Sequence, residues 1–151
     1  RGFDLLASQA VQEAWRSSSA LCALILDLDN FKQLNDSHGH MAGDEVLRSF
    51  AHHLRNTVRQ SDIICRWGGE EFILLLKDTT PAQARELGEK IRLQTEQTRI
   101  RFNTLDLQIT TSIGLAQLQT DESLEQLITR AERALYRAKQ SGRNRLCEEV
   151  T

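Results

Sequence analysis

Four carboxylates stand in two short stretches where carboxylates are costly to keep. Asp27 and Asp29 close the apolar run Leu21-Cys22-Ala23-Leu24-Ile25-Leu26. Glu70 and Glu71 follow Gly68-Gly69 and open a second run, Phe72-Ile73-Leu74-Leu75-Leu76. Carboxylates at the mouth of a buried strand need a positive partner. A divalent cation beside a phosphate-binding turn is one such partner; the plainer reading of Glu70-Glu71 is the solvated tip of a hairpin. Residues i and i+2 of a strand share a face, so Asp27 and Asp29 can point to one side. Of the two, Asp27 reads as a metal ligand and Asp29 as the cap of a helix starting near Asn30.

The apolar pattern marks the elements that must hold these groups. Ile63-Ile64-Cys65 and Phe72–Leu76 flank the Gly pair as the arms of a β-hairpin, with the glycines supplying positive φ in its turn. Leu21–Leu26 fits a central strand covered on both faces. Ahead of it, Phe3, Leu6, Ala10 and Ala14 recur at helical spacing from Gly2 to about Arg16. Asn30–Ser37 fits a short helix, His38–Asp44 a loop, and Glu45 begins a helix whose stripe is Leu47, Phe50, Ala51, Leu54 and Val58. Asp44 then doubles as that helix's N-cap. His38 and His40 lack further ligands nearby and read as hydrogen-bonding groups.

Thr80-Pro81-Ala82-Gln83 and Ser123-Leu124-Glu125-Gln126 are helix starts with capping boxes. Leu124, Leu127, Ile128, Ala131, Leu135 and Ala138 form the apolar face of the second helix, and Gly142 stops it. Between these helices lie a short extended piece at Ile100–Phe102 and one strand from Leu107 to Leu118. Arg145-Leu146-Cys147 makes a short last strand. Lys139 and Arg143, at i and i+4, share a helix face; they read as a phosphate clamp or as two solvated cations. The order of elements predicts an α/β (α+β) sandwich, one central mixed β-sheet flanked by helices, of ferredoxin-like character.

The 151 residues suit one domain with a substantial core. A net charge of −2 argues against nucleic acid as a partner. The widely spaced Cys22, Cys65 and Cys147 show no metal-binding spacing and read as reduced thiols of a reducing cytosol. No apolar run approaches membrane-spanning length and no signal peptide is visible, so a cytoplasmic location is expected. The chain opens without Met, inside what reads as a helix. The expectation is one domain, residues 1–151, trimmed at its N-terminus from a longer protein whose upstream part is a sensor, coiled coil or membrane-anchored region.

Five motifs in order then carry a resemblance. Gly68-Gly69-Glu70-Glu71-Phe72 resembles the GGEEF form of the GGDEF domain, the catalytic domain of diguanylate cyclases. Asp27-Leu28-Asp29-Asn30-Phe31-Lys32-Gln33-Leu34-Asn35-Asp36 is similar to that family's DxDxFKxxND, and Gly39-His40-Met41-Ala42-Gly43-Asp44 to its GHxxGD. Thr111-Ser112-Ile113-Gly114 resembles TxSIG. Ala134-Leu135-Tyr136-Arg137-Ala138-Lys139 with Gly142-Arg143-Asn144 resembles ALYxAKxxGRN. The family's usual opening DxLTxLxNR segment is missing.

The resemblance implies the nucleotidyl-cyclase-like GGDEF fold and a reaction in which two GTP condense to cyclic di-GMP with release of two pyrophosphates. It implies Asp27, Glu70 and Glu71 as the catalytic carboxylates, with the Leu28 carbonyl completing a site for Mg²⁺ or Mn²⁺, two ions per GTP. It places GTP on Asn30, Phe31, Lys32, Asn35, His40, Asp44, Gly69, Lys139 and Arg143, with Asn35 and Asp44 reading guanine. Arg59-Gln60-Ser61-Asp62 matches an RxxD site at which the product inhibits, through Arg59 and Asp62. Each protomer holds one GTP, so a homodimer is implied, paired by an upstream regulatory domain. The competing function is a catalytically silent receptor for cyclic di-GMP; retention of Asp27, Glu70 and Glu71 favours the enzyme.

Overall fold

A computed structural model of the chain describes residues 2–149, with side chains from Asp4 onward. The elements are α1 (Gly2–Ser17), β1 (Leu21–Leu28), α2 (Phe31–His38), α3 (His40–Thr57), β2 (Ile63–Arg66), β3 (Glu71–Lys77), α4 (Pro81–Gln97), β4 (Ile100–Phe102), β5 (Leu105–Leu107), β6 (Thr111–Gln117), α5 (Leu124–Gln140) and β7 (Leu146–Glu148). Five strands form one sheet in the order β2-β3-β1-β6-β7, while β4 and β5 pair separately. β1 is central and antiparallel to both β3 and β6; β7 lies parallel to β6. The expected mixed sheet flanked by helices is present.

Side-chain parity along β1 divides the core. Cys22, Leu24, Leu26 and Leu28 face α2, α3 and α4, against Phe31, Val46, Phe50, Leu54, Ala84 and Ile91. Leu21, Ala23 and Ile25 face α1 and α5, against Ala7, Val11, Leu127, Ala131 and Leu135. All of β1 is buried, apolar from Leu21 to Leu26, and its one carboxylate, Asp27, stands next to its last residue. At β6, Gly114 admits α5 to the sheet: a Cβ there would collide with the backbone of Ala131 and Leu135.

Local chemistry accounts for the helix ends. Thr80 and Ser123 each close a capping box with Gln83 and Gln126. α5 ends with Gly142 at φ 121, and the Arg143 N–H donates to the Ala138 carbonyl at 3.0 Å, the six-to-one bond of a Schellman stop.

Four expectations need correction. In α1, Leu6 is exposed, and Ala7 and Val11 are buried beside Ala10 and Ala14; Phe3 lies outside the described side chains. Ala10 and Ala14 keep their place on the buried face, which Ala7 and Val11 complete instead of Leu6. α3 starts at His40, separated from α2 by Gly39 alone (φ 90), so Asp44 lies inside the helix and is no N-cap. The expected strand Leu107–Leu118 is broken at 108–110: β5 turns back on β4, and Gln108 leaves the ladder to donate to the Glu96 carbonyl at 2.6 Å. α5 stops before Arg143, which therefore shares no helix face with Lys139.

Candidate functional site

The register brings the two acidic stretches together. Asp27 pairs with Glu71 across β1 and β3, and the Leu28 N–H donates to the Glu70 carbonyl at 3.2 Å. Parity puts the Asp27 and Glu71 side chains on the α1/α5 face, following Ile25 and Ile73. There α5 supplies Lys139, whose ammonium is ion-paired to the Asp27 carboxylate. Burial, with the Glu132, Asp27 and Glu70 charges added, pushes the Glu71 carboxyl up to about 7, against the opposing pull of Lys139. Glu132 contributes to this acidic corner without any signal in the sequence reading. The interaction depends on α5 crossing the end of the sheet. Among the described residues, no three His, Cys, Asp or Glu side chains converge into a ready-made metal cluster.

The hairpin joining β2 and β3 is closed by the Trp67 N–H on the Glu71 carbonyl at 2.7 Å. Neither Gly68 nor Gly69 has positive φ, contrary to expectation, and nothing lies within 4 Å of where their Cβ atoms would stand. The fold itself therefore does not demand glycine at either place. Arg66, which the sequence reading passed over, holds the tip: its Nε and Nη2 donate to the Gly69 carbonyl at 3.0 and 2.6 Å.

On the other face of the sheet, a cleft of ≈ 630 Å³ is lined by Asp44, Leu47, Arg48, Ala51 and Arg55 of α3, by Asp62, Ile64 and Arg66, and by Phe72. Asn35 of α2 lies against Gly43, where any Cβ would collide with its Oδ1. That Oδ1 is buried and accepts no hydrogen bond. An unsatisfied buried acceptor is unfavourable by about 1–3 kcal/mol, so its presence calls for a donor from elsewhere.

Between the two faces, over the end of β1, runs the turn Asp29–Phe31. Asn30 sits in the left-handed region (φ 56, ψ 32) and precedes α2 without a side-chain cap. Asp29, expected to cap that helix, instead turns the other way and accepts from Thr110, Ser112 and the Asn144 N–H. Lys32 is exposed on α2, His40 is exposed at the start of α3, and Arg143 is exposed beyond α5 at φ 63.

Arg59 and Asp62 form a cluster at the border of the α3 cleft, which Asp62 also lines. Asp62 accepts from the Arg59 N–H at 3.0 Å, from the Arg59 guanidinium at 3.2 and 3.3 Å, and from the Lys77 N–H at 3.2 Å. The guanidinium is about half exposed and the carboxylate only 2%. Arg59 also reaches Thr79 Oγ1 at 2.7 Å and the Lys77 carbonyl.

Residues 1–145 match the family described as diguanylate cyclase, GGDEF domain. The chain is 42% identical over 138 residues to diguanylate cyclase DgcP of Pseudomonas aeruginosa, covering 91% of this chain and 21% of DgcP. The GGDEF domain of DgcB from Caulobacter crescentus, solved in complex with c-di-GMP, superposes with a TM-score of 0.94 at 31% identity, covering 99% of this chain and 89% of that one. The active GGEEF domain of a diguanylate cyclase from Vibrio cholerae also gives 0.94, at 33% identity, covering 100% of this chain and 96% of that one. The chain therefore belongs to the GGDEF domain family. It spans about a fifth to two-fifths of the length of the curated relatives it matches. No described helix is long and apolar enough to cross a membrane.

Proposed function

We propose that this domain condenses two GTP into cyclic di-GMP, with each of two facing protomers presenting one nucleotide. The observation that carries the reading is Asp44 lining the α3 cleft, with the buried and unpartnered Asn35 Oδ1 packed behind it against the neighbouring Gly43. Guanine offers N1–H and N2–H₂ donors that suit an amide oxygen and a carboxylate. Adenine offers a bare N1 acceptor, which would leave those groups unpaired; a mismatch of this kind discriminates by about 10⁴. With the base in that cleft, the phosphates lie over the Asn30–Phe31 turn. The free N–H groups at the start of α2 meet them there, and Lys32, Lys139 and Arg143 add positive charge. Gly69, open on all sides, lets the hairpin backbone come close to the ribose and phosphates, while His40 stands at the mouth of the α2–α3 junction.

A divalent cation fits the acidic corner. Mg²⁺ takes one or two carboxylates and completes its shell with phosphate oxygens, so a preformed three-carboxylate cage is not required. Asp27, the Leu28 carbonyl and Glu70 would hold Mg²⁺ or Mn²⁺, with Glu71 alongside; the repulsion already felt at Glu71 favours such a charge. When bound, the metal neutralises phosphate charge and acidifies the attacking hydroxyl. Lys139 then has a second acidic partner available, the triphosphate, besides Asp27.

The Arg59–Asp62 cluster suits a product site that restrains the enzyme, with the half-exposed guanidinium presenting its fork to a guanine edge. An upstream regulatory domain would pair the protomers. The deciding experiment incubates the protein at high concentration with GTP and Mg²⁺, beside a Glu70→Gln variant, and separates the products by chromatography. Cyclic di-GMP from the parent, at least about a hundredfold less from the variant, and none from ATP are expected. Silence in a version fused to a dimerising coiled coil would overturn the proposal in favour of a product receptor.

A further inference from the structure

Asp29 is a buried carboxylate, 6% exposed, that none of the roles above employs. Its Oδ2 accepts from Thr110 Oγ1 at 2.7 Å and from the Asn144 N–H at 3.0 Å, and its Oδ1 from Ser112 Oγ at 2.7 Å. Its own N–H donates to the Thr110 carbonyl at 2.9 Å. One side chain thus fastens three pieces of chain: the turn before α2, the start of β6, and the loop beyond α5.

Two of those pieces carry left-handed backbone. Asn30, next to Asp29, has φ 56; beyond α5, Gly142, Arg143 and Asn144 have φ 121, 63 and 48 in succession. Asparagine accepts left-handed backbone more readily than other non-glycine residues, so Arg143 is the position where surrounding contacts must impose it. Asn144 is imposed from both sides. Its N–H is held by Asp29, its Nδ2 donates to Glu96 at 2.8 Å, and its Oδ1 accepts from Arg92 at 3.0 Å. Arg143 is carried between Gly142 and this anchored residue. The Asn30–Phe31 amides follow the anchor Asp29 directly in the chain.

We infer that Asp29 is a positioning residue for the triphosphate, locking the amide turn before α2 and the Arg143 loop in one mutual arrangement so that both sides of the phosphate chain are gripped at once. The inference rests on the nucleotide reading above. It separates the work of the two aspartates: Asp27 faces α5 and the reacting end, while Asp29 never touches the ligand and acts through Asn30 and Arg143. Misplacing such groups by about an ångström is enough for a loss of up to about a hundredfold.

The test uses a GTP analogue with a methylene bridge between the α- and β-phosphorus atoms, which cannot release pyrophosphate, and GMP, which shares only the base, ribose and α-phosphate. Both are titrated with Mg²⁺ into the parent, Asp29→Ala and Asp29→Asn, the last keeping the side chain's shape if the alanine variant does not fold. Affinity for the analogue is expected to fall about tenfold or more while that for GMP stays within about twofold. In a double-mutant cycle, Asp29→Asn is expected to add less than its full effect once Arg143→Ala is present. Equal losses for both ligands, or none, would overturn the inference and leave Asp29 as a purely structural residue. A parent that binds neither ligand would overturn the nucleotide reading itself.

Discussion

The two ends of the central sheet treat buried carboxylates in opposite ways. At the hairpin end, Glu71 stands among Asp27, Glu70 and Glu132 with Lys139 as its opposing charge, and burial raises its pKa to about 7. At the far end, just past β6, Glu122 is over nine-tenths buried, deeper than the half-buried Glu71. Burial would raise its pKa too, but two hydrogen bonds from Arg130 at 2.7 and 2.9 Å and one from the Gln119 N–H at 2.9 Å outweigh that effect and hold it below the ordinary carboxylate range. Arg130 is raised in turn by the same bonds. A pair that answers its own charge serves stability. A group of like charges left unbalanced by the fold is a cost that stability alone does not explain, which is the physical mark of a binding site.

Substitutions at the two ends should therefore diverge. The largest effect on stability belongs to Glu122→Gln, which keeps one acceptor but strips the charge from beneath a buried guanidinium. A loss of about 2 kcal/mol is expected in chemical denaturation at pH 7, with turnover per folded molecule unchanged. Because Glu122's folded-state pKa lies below its unfolded one, its contribution is present above the ordinary carboxylate range and disappears as the pH falls through the folded value. The gap between parent and variant should narrow as the pH falls below the ordinary carboxylate range and close once Glu122 is protonated in the folded protein. A gap independent of pH would mean that shape, and not charge, holds that corner.

Glu71→Gln should do the reverse. Removing a half-buried charge from among its own kind is expected to raise the melting temperature by about 3 °C at pH 8 without added metal, while lowering turnover. A variant that melts lower would break the comparison, because Glu71 would then be a structural residue like Glu122.

The smallest effect on stability is expected for Gly69→Ala. With ordinary φ and open space around the site, folding should change by no more than about 0.5 kcal/mol. Activity should still fall if the ligand is what requires the glycine. Full activity in a fully stable Gly69→Ala protein would remove the hairpin tip from the substrate contacts.

Much of this was legible along the chain because it depends on local chemistry. The capping boxes at Thr80 and Ser123, the central strand built on Leu21–Leu26, and the hairpin around Gly68-Gly69 each follow from neighbours in sequence. The pairing of Asp27 with the hairpin was also within reach, since two strands that both end in acids invite one explanation. The errors came where a distant partner overrode a local preference. Asp29 had a nearby helix to cap and bonded instead to Thr110, Ser112 and Asn144, more than 80 residues away in each case. Lys139 and Arg143 had helical spacing, but the Gly142 stop ended α5 between them. Asp44 looked like a cap because the start of α3 at His40 lacks the usual capping side chain.

The sequence by itself determined which residue types were available, the kinds and order of the main elements, and the motifs that define the family, all of which are set by spacing and propensity. Only the tertiary structure decided which side of the sheet each acid faces, that Glu132 joins Glu71, that Asn35 keeps an unanswered acceptor beside Asp44, and that Asp29 ties two left-handed turns together. These outcomes depend on strand register and on α5 and α2 being packed against particular ends of the sheet. Side-chain electrostatics and hydrogen bonding act over a few ångströms of space, whatever the separation along the chain.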